Sequence, residues 1–292
     1  MKITLLGSLG NINRHFIPRL IADGHEVTVI TSRPEGVAAI EKLGAKAAVG
    51  LNTDLDFLSR TFTGSDLVYL MITGIAFSSA TSMSDLAKIY SQAIKKADVK
   101  KVINLSSVSA QSPEAGILYE YHAMEDGLDE LTGVTVKHIR PVGFYTNLLT
   151  EIALLKAQGK IFEAISPETM RAWVHPSDIA DAVYNRINDL LTDKAVSKIK
   201  YVVSDWATGT DWVNALGTNN ISAQYVTISV EDLIENFVKA GLPKVVADGF
   251  GQMNQFQQSP DKLYQEIKSS NYHHGKVKIN DFAKEFAQVY YQ

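Results

Sequence analysis

Short apolar runs recur along the first half of the chain: KITLLG at 2–7, EVTVIT at 26–31, AKAAVG at 45–50, DLVYLMI at 66–72, KKVINLSS at 100–107 and VTVKHIRP at 134–141. Between most of them lie stretches with helical spacing, over 11–23, 34–43, 54–63, 83–97 and 119–131. Continuous apolar strands alternating with helices of this length predict a parallel sheet covered on both faces. Right-handed crossovers then give a doubly wound sheet. A later run, KIKYVVS at 198–204, is expected to join the same sheet. The rest mixes helices with irregular pieces. SVEDLIENFVKAGLP at 229–243 offers Ser229 as a helix cap, and INDFAKEFAQVYY at 279–291 reads as an amphipathic helix. The predicted class is therefore α/β, a doubly wound parallel sheet with a smaller, mostly helical C-terminal lobe. The sheet domain is expected over 1–144, with 171–204 returning to it, and the lobe over 145–170 and 205–292.

Composition narrows the function. The 292 residues suffice for one large or two modest domains, and 46% hydrophobic with 21% charged residues fits an ordinary globular protein. A net charge of -4 argues against nucleic-acid binding through a basic face. Without cysteine there is no disulfide, thiol nucleophile or cysteine-ligated metal. The adjacent His273 and His274 point apart in a strand or loop, so no metal site is read there. Met1 leads straight into a candidate strand and no apolar run spans a bilayer, so a cytoplasmic protein with no membrane partner is expected.

The first candidate chemistry lies in GSLGNIN at 7–13, between a strand and a helix. Free backbone N–H groups at a helix start favour a pyrophosphate. Gly7 permits the tight turn, and Gly10 lets the backbone approach a phosphate with no Cβ between them. Asn13 stands where a third glycine usually serves helix–strand packing, and is expected to disturb that packing more than binding. Pro18 should bend the helix or free a carbonyl. The second strand ends in Thr31, Ser32 and Arg33, with no acid to bind a ribose 2′-hydroxyl. A hydroxyl beside a guanidinium suits a 2′-phosphate, and Arg14 is a second candidate cation. The expected cofactor is NADP(H) in preference to NAD(H).

With these residues the chain resembles the NmrA-like branch of the atypical short-chain dehydrogenases/reductases, nearly end to end. The resemblance rests on GSLGNINR at 7–14, TSRP at 31–34, the segment 48–71, HIRPVGFYTNLL at 138–149, WVHPSDIADAV at 173–183 and the closing helix at 275–290. It implies a Rossmann sheet and a cofactor path. Ser8, Leu9, Asn11 and Ile12 would line the pyrophosphate with Gly7 and Gly10. Met71, Ile72 and Thr73 would pass the adenine and ribose. Ser106 and Ser107 would face the reacting centre, and Pro141, Val142, Gly143 and Phe144 would border the nicotinamide. Many relatives carry an adenine-contacting aspartate after the third strand. Here that place, after Gly50, is Leu51.

The wider superfamily uses a Tyr-x-x-x-Lys pair after strand five. GILYEYHAMEDGLDEL at 116–131 lacks it in every register: Tyr119 is followed four residues on by Ala123, and Tyr121 by Glu125. His122 is the candidate catalytic residue, with Glu125 one turn later to orient it. His175 reads as structural, ahead of Pro176 and a Ser177 cap, with Asp178 and Asp181 favourable in the first turn. Tyr145, Met253 and Phe256, with Phe144, are candidates for an apolar substrate wall.

Two functions follow. One is an NADPH-dependent oxidoreductase whose small-molecule acceptor, such as a quinone, needs little help from a general acid. The other is a non-catalytic NADP(H) sensor that regulates a protein partner. A sugar-nucleotide epimerase is disfavoured, because that chemistry depends on the missing tyrosine.

Overall fold

The computed structural model describes residues 1–72 and 81–292; Thr73 of the expected cofactor path lies outside them. The first strands and helices alternate as the pattern predicts: β1 (Lys2–Leu5), α1 (Asn13–Ala22), β2 (Glu26–Thr31), α2 (Val37–Lys42), β3 (Lys46–Val49), α3 (Leu55–Phe62), β4 (Leu67–Met71), α4 (Met83–Lys96), β5 (Lys101–Leu105), α5 (His122–Asp129) and β6 (Thr135–Pro141). There follow β7 (Gly143–Phe144), α6 (Ile152–Gln158), β8 (Lys160–Glu163), β9 (Arg171–Val174), α7 (Pro176–Leu191), β10 (Ile199–Val203), β11 (Asp205–Ala207), α8 (Gly209–Gly217) and β12 (Gln224–Thr227). The chain ends with α9 (Val230–Lys239), α10 (Lys244–Gln257), α11 (Pro260–Leu263), α12 (Gln265–Ser269), β13 (His273–His274) and α13 (Ile279–Tyr290).

The central sheet has eight strands in the order β13-β10-β6-β5-β4-β1-β2-β3, and β1 to β6 pair in parallel. The order reverses at β1 and β4, as a doubly wound sheet requires. β4 and β5 are buried nearly throughout, which explains the unbroken apolar sequence of β4.

The chain forms two compact units. One comprises 1–106, 121–140 and 179–200; the other comprises 107–120, 141–178 and 201–292. These bounds differ from the expected 1–144 and 171–204, since 107–120, 141–144, 171–178 and 201–204 group with the second unit.

In the first unit, Leu58 and Phe62 of α3, Leu86, Tyr90 and Ile94 of α4, and Met124 and Leu128 of α5 form one core with β4 and β5. Asp54 and Ser82 cap α3 and α4 by accepting from the backbone N–H of Phe57 and Asp85. α1 runs on through Pro18 as one helix, with Phe16, Ile17 and Leu20 buried. Its last turn is tied to α7: Arg19 pairs with Asp181 at 2.5 Å and lies 3.7 Å over the Tyr184 ring, and the Tyr184 hydroxyl donates to Asp23 at 2.6 Å.

Two helices expected from pattern are only partly α-helical. Residues 34–36 form a 3-10 turn before α2, and 113–121 a 3-10 stretch before α5. Gly116 breaks the latter with φ +57°, where a Cβ would lie 2.3 Å from the Gly249 carbonyl.

The second unit carries two small sheets, β11-β9-β7 and β12-β8, besides its helices. Its core gathers Tyr145, Trp173, Trp212, Phe282 and Phe286. Ser229 caps α9 as expected, accepting from the Asp232 N–H at 3.0 Å. Ser177 is not the cap of α7. It lies inside the first turn, its hydroxyl 2.7 Å from His175 Nδ1, while the Asp178 N–H donates to the His175 carbonyl. Asp178 does more than complement the helix dipole: it is buried and accepts from Ser204 Oγ and from the N–H groups of Lys276 and Val277.

α5 is locked to β6 by a buried ion pair. Arg140 Nε donates to Glu125 Oε1 at 2.9 Å and its terminal nitrogen to Oε2 at 2.5 Å. Burial alone would raise the Glu125 pKa. The Arg140 bonds and the nearby His138, Arg140 and Ser106 groups outweigh it and hold the carboxyl below its ordinary value. Removing one partner strands a buried charge, so Arg140→Met is expected to cost about 3–5 kcal/mol in urea unfolding. Because the folded pKa is depressed, this pair's contribution is complete above the unfolded carboxyl value of about 4.3. It is lost as pH falls through the folded value. The acid limb of the urea midpoint should therefore flatten in Arg140→Met; an unchanged acid limb would show that the pair does not set it.

Candidate functional site

The loop leaving β1 is shaped by its glycines and by the residue that replaces the third. Gly7 has φ +98°, and a Cβ there would lie 2.0 Å from Met71 Sδ, so only glycine fits above that methionine. The loop returns on itself through Gly10 N–H to Gly7 O at 3.2 Å. Asn13 does not disturb the packing as expected. It is buried, and its Nδ2 donates to the carbonyls of Leu6 at 2.8 Å and Ser8 at 2.9 Å. The amide thus spans the turn from beneath.

α1 starts without a side-chain cap and with no acid in its first turn. The N–H groups of Asn11 and Ile12 meet no protein acceptor among the described residues. Free donors at a helix start, beside a glycine with no Cβ, fit a pyrophosphate.

The loop before them opens onto a cavity of about 510 Å³, whose lining stops at Gly10 and does not include Asn11 or Ile12. Leu6 to Gly10 form one wall, Ile30 to Arg33 the next, and Gly50 and Asn52 the end. Ser8 Oγ donates to Thr31 Oγ1 at 3.2 Å, and Thr31 Oγ1 accepts from the Arg33 N–H at 3.2 Å, so the two walls are hydrogen-bonded to each other. Ser32 and Arg33 are exposed. Among the described residues no carboxylate lines the cavity, which suits an anionic ligand. Asn52, which pattern reasoning passed over in favour of Leu51, is half-buried here, while Leu51 is 57% exposed. The signal available in the sequence was an amide three residues past the third strand.

The other expected cofactor residues are dispersed. Arg14 is exposed, with Nε 3.4 Å from His15 Nε2, and does not line the cavity. Met71 packs under Gly7, and Ile72 is half-buried beyond it. Ser106 is buried at the end of β5. In the second unit Ser107 is half-buried; the Pro141 carbonyl accepts from Val108, and Val142 donates to Val202. Gly143 and Phe144 form β7 beside Trp173 and Val174 of β9.

The catalytic expectation changes most. His122 opens α5 and is half-buried. Glu125, expected to orient it, has both oxygens on Arg140 instead. The Tyr121 phenol is pushed up to about 12 by burial. Nearby, and unforeseen, His138 is buried between Asn104, 3.2 Å from Nδ1, and Asp129, 3.1 Å from Nε2.

The substrate wall is not one surface. Tyr145 is fully buried in the second unit's core, stacked with Trp173 at 5.8 Å and Phe282 at 5.0 Å. An inward-facing ring there adds to packing and cannot line an open wall. Phe256 lies one helical turn beyond Met253 on α10 and lines a separate cavity of about 450 Å³ with Gln252 and Gln255. Among the described residues no group of three or more His, Cys, Asp or Glu is placed to hold a metal, and no helix is long and apolar enough to cross a membrane.

The family model described as NAD(P)H-binding matches residues 7–189. No curated protein matches the sequence. Among solved structures, the chain is similar to the NADPH-dependent quinone oxidoreductase QOR2 of Escherichia coli in complex with NADPH. The TM-score is 0.77 at 17% identity, over 97% of this chain and 99% of that one. A triphenylmethane reductase of Citrobacter sp. aligns with a TM-score of 0.75 at 15% identity, over 99% and 100%. A variant of NmrA aligns with a TM-score of 0.69 at 15% identity, over 98% and 90%. At these identities the likeness is one of fold.

Asn13→Ala is expected to destabilise the protein by about 1–3 kcal/mol, because two carbonyls under the turn lose their donor. Thermal unfolding without added nucleotide measures it, and an unchanged midpoint would mean that the turn holds itself.

Proposed function

Because the chain belongs to the NAD(P)H-binding family, as an NmrA-like atypical short-chain dehydrogenase/reductase with a Rossmann fold, we propose that it is an NADPH-dependent reductase of small conjugated acceptors of the quinone type. The observation that carries this reading is the cavity wall Thr31-Ser32-Arg33, which offers a hydroxyl and an exposed guanidinium with no carboxylate among the described lining residues. Arg33 presents a fork of donors to a 2′-phosphate, and an acid selecting for a free 2′-hydroxyl is missing. The N–H groups of Asn11 and Ile12 bind the pyrophosphate, Gly10 admits it, and Ser8 and Leu9 complete that wall. Arg14, Met71 and Ile72 stand further along the proposed path. Ser106 and Ser107, then Pro141, Val142, Gly143 and Phe144, are the proposed border of the nicotinamide.

Bound NADPH would supply a hydride. The protein's part is to orient it and to accept a substrate that completes the reaction without a tuned tyrosine. Tyr121 is a poor proton donor near neutrality: burial holds its phenol at about 12, and the residue four positions on is Glu125, committed to Arg140. A quinone suits such a site. Its conjugated system accepts the hydride and its two electrons, and water delivers the proton to the resulting oxyanion. The quinone and triphenylmethane reductases that share the fold are consistent with acceptors of this kind. His122 is retained as a residue acting on the ribose side of the site, through cofactor affinity more than through proton transfer.

A second reading, an NADP(H) sensor, is favoured by one specific feature of the sequence: the residues four positions after Tyr119 and Tyr121 are Ala123 and Glu125, where a catalytic pair has lysine. Incubation with NADPH and a quinone panel separates the two. Oxidation of NADPH supports the reductase, and binding with no turnover supports the sensor.

Arg33→Ala is expected to weaken NADPH by about 1–3 kcal/mol and leave NADH nearly unchanged, measured by calorimetry. Equal losses for both would remove the 2′-phosphate assignment. Tyr119→Phe and Tyr121→Phe should each keep turnover within about tenfold of the parent, roughly 1.4 kcal/mol in the barrier. A far larger fall in kcat with NADPH affinity intact would show that one of them is the proton donor after all.

A further inference from the structure

We infer that, independently of the cofactor reading, Arg186 with Lys137 and Lys200 forms a binding site for a phosphate dianion at the edge of the sheet where its strands begin. Arg186 lies on α7 and is buried, with 4% of its surface exposed. A cation at that depth is costly unless a carboxylate pairs with it. The other two buried arginines have such a partner: Arg140 holds Glu125, and Arg171 donates to Glu163 at 2.7 Å. Arg186 pairs with no carboxylate among the described residues. Its guanidinium reaches the Ser197 hydroxyl at 3.5 Å, the outer limit of a hydrogen bond. Asp189, one turn further along α7, is engaged by Lys194 at 2.8 Å.

Two more cations converge on this arginine. Lys137 is the third residue of β6 and Lys200 the second of β10, and the strands run side by side, with the His138 N–H donating to the Lys198 carbonyl at 2.9 Å. Both lysines are half-buried, and Ser197 beside them is exposed, so the cluster borders solvent. Burial, and then the charge of Arg186, holds each lysine below its ordinary pKa; Lys198 adds to this at Lys137, and Asp189 opposes it at Lys200. Lys198 is itself paired, with Asp129 at 2.5 Å. Lys137 gives one N–H to the Val196 carbonyl at 2.9 Å, which aligns its ammonium with the loop before β10. Like charges thus gather in a chain whose net charge is -4.

A dianion supplies what the cluster lacks. Phosphate carries about two negative charges and has acceptor oxygens on every side, so one can take the open fork of Arg186 while another meets a lysine. A monocarboxylate would leave most of the charge unmet. The cofactor's own phosphates do not account for the cluster. β1 to β6 run parallel, so the loops after β1 and β2 lie at the opposite edge of the sheet from the start of β6.

Thermal unfolding of the full chain tests the site. The midpoint is read in about 10 mM inorganic phosphate, then in phenyl phosphate, each against sodium chloride of equal ionic strength, at mildly alkaline pH where both are doubly charged. In the parent it should rise by about 2–4 °C, the scale of a ligand at ten times its dissociation constant. A rise with both shows that the site admits a phosphate ester; a rise with inorganic phosphate alone shows that it takes the free ion; either supports the site. Arg186→Met should lose most of the shift and Lys137→Gln at least half of it, whereas Arg33→Ala should keep it. No shift in the folded parent overturns the inference. So does a shift undiminished in Arg186→Met, or one that disappears in Arg33→Ala, which would put the anion in the cofactor cavity. If Arg186→Met does not fold, Lys137→Gln decides in its place, and an undiminished shift there overturns the inference equally.

Discussion

The amide of Asn13 is the contact on which the front of the molecule depends. A strand that ends under a helix must turn within a few residues, and the turn exposes carbonyls that no sheet partner can reach. Here a single Nδ2 takes two of them, those of Leu6 and Ser8, and leaves the N–H side of the turn facing outward. The division of labour is physical: carbonyls are satisfied from within the protein, and donors remain for an anion. In this turn a Cβ at Gly7 would meet Met71, and one at Gly10 would press on the Gly7 carbonyl at 3.1 Å.

Much of the fold is legible in the sequence because parallel strands buried on both faces have little freedom of composition. EVTVIT, DLVYLMI and KKVINLSS are recognisable as strands by themselves, and Asp54, Ser82 and Ser229 sit where helix starts need an acceptor. The glycine loop and the Thr31-Ser32-Arg33 end are legible for a similar reason, since their chemistry is local. What escapes is chemistry that depends on distant partners. Asn13 looks like a departure until the carbonyls above it are in place. Asn52 is an unremarked loop residue until Tyr90 of α4 brings its hydroxyl within 3.1 Å of the amide. Tyr145 reads as a wall because aromatic residues do line pockets, yet rings from β9 and α13 enclose it.

Glu125 shows the same limit from the other side. Helical spacing places it one turn from His122, and sequence reasoning pairs the two. The pairing that forms instead is with Arg140 on β6, because a carboxylate buried to that depth requires a full opposite charge and a forked donor supplies two bonds at once. The region after strand five thus carries a structural charge pair and a phenol that burial makes reluctant to ionise, where a catalytic tyrosine would need a neighbouring cation. Under the proposed reductase reading, chemistry in such a setting falls to substrates that carry their own electron sink.

The tether at the far end of α1 has a consequence for the thermodynamics of ligand capture. Arg19 between Asp181 and the Tyr184 ring, with Tyr184 returning to Asp23, fixes the helix axis relative to α7 before any anion arrives. Asn13 fixes its first residue in the same way. A helix secured at both ends has little freedom left to surrender when its open N–H groups are filled. The ordering cost of binding then falls mainly on the ligand, a flexible dinucleotide that must be drawn out straight, and hardly at all on the protein. Stiffness in the helix becomes affinity at its tip.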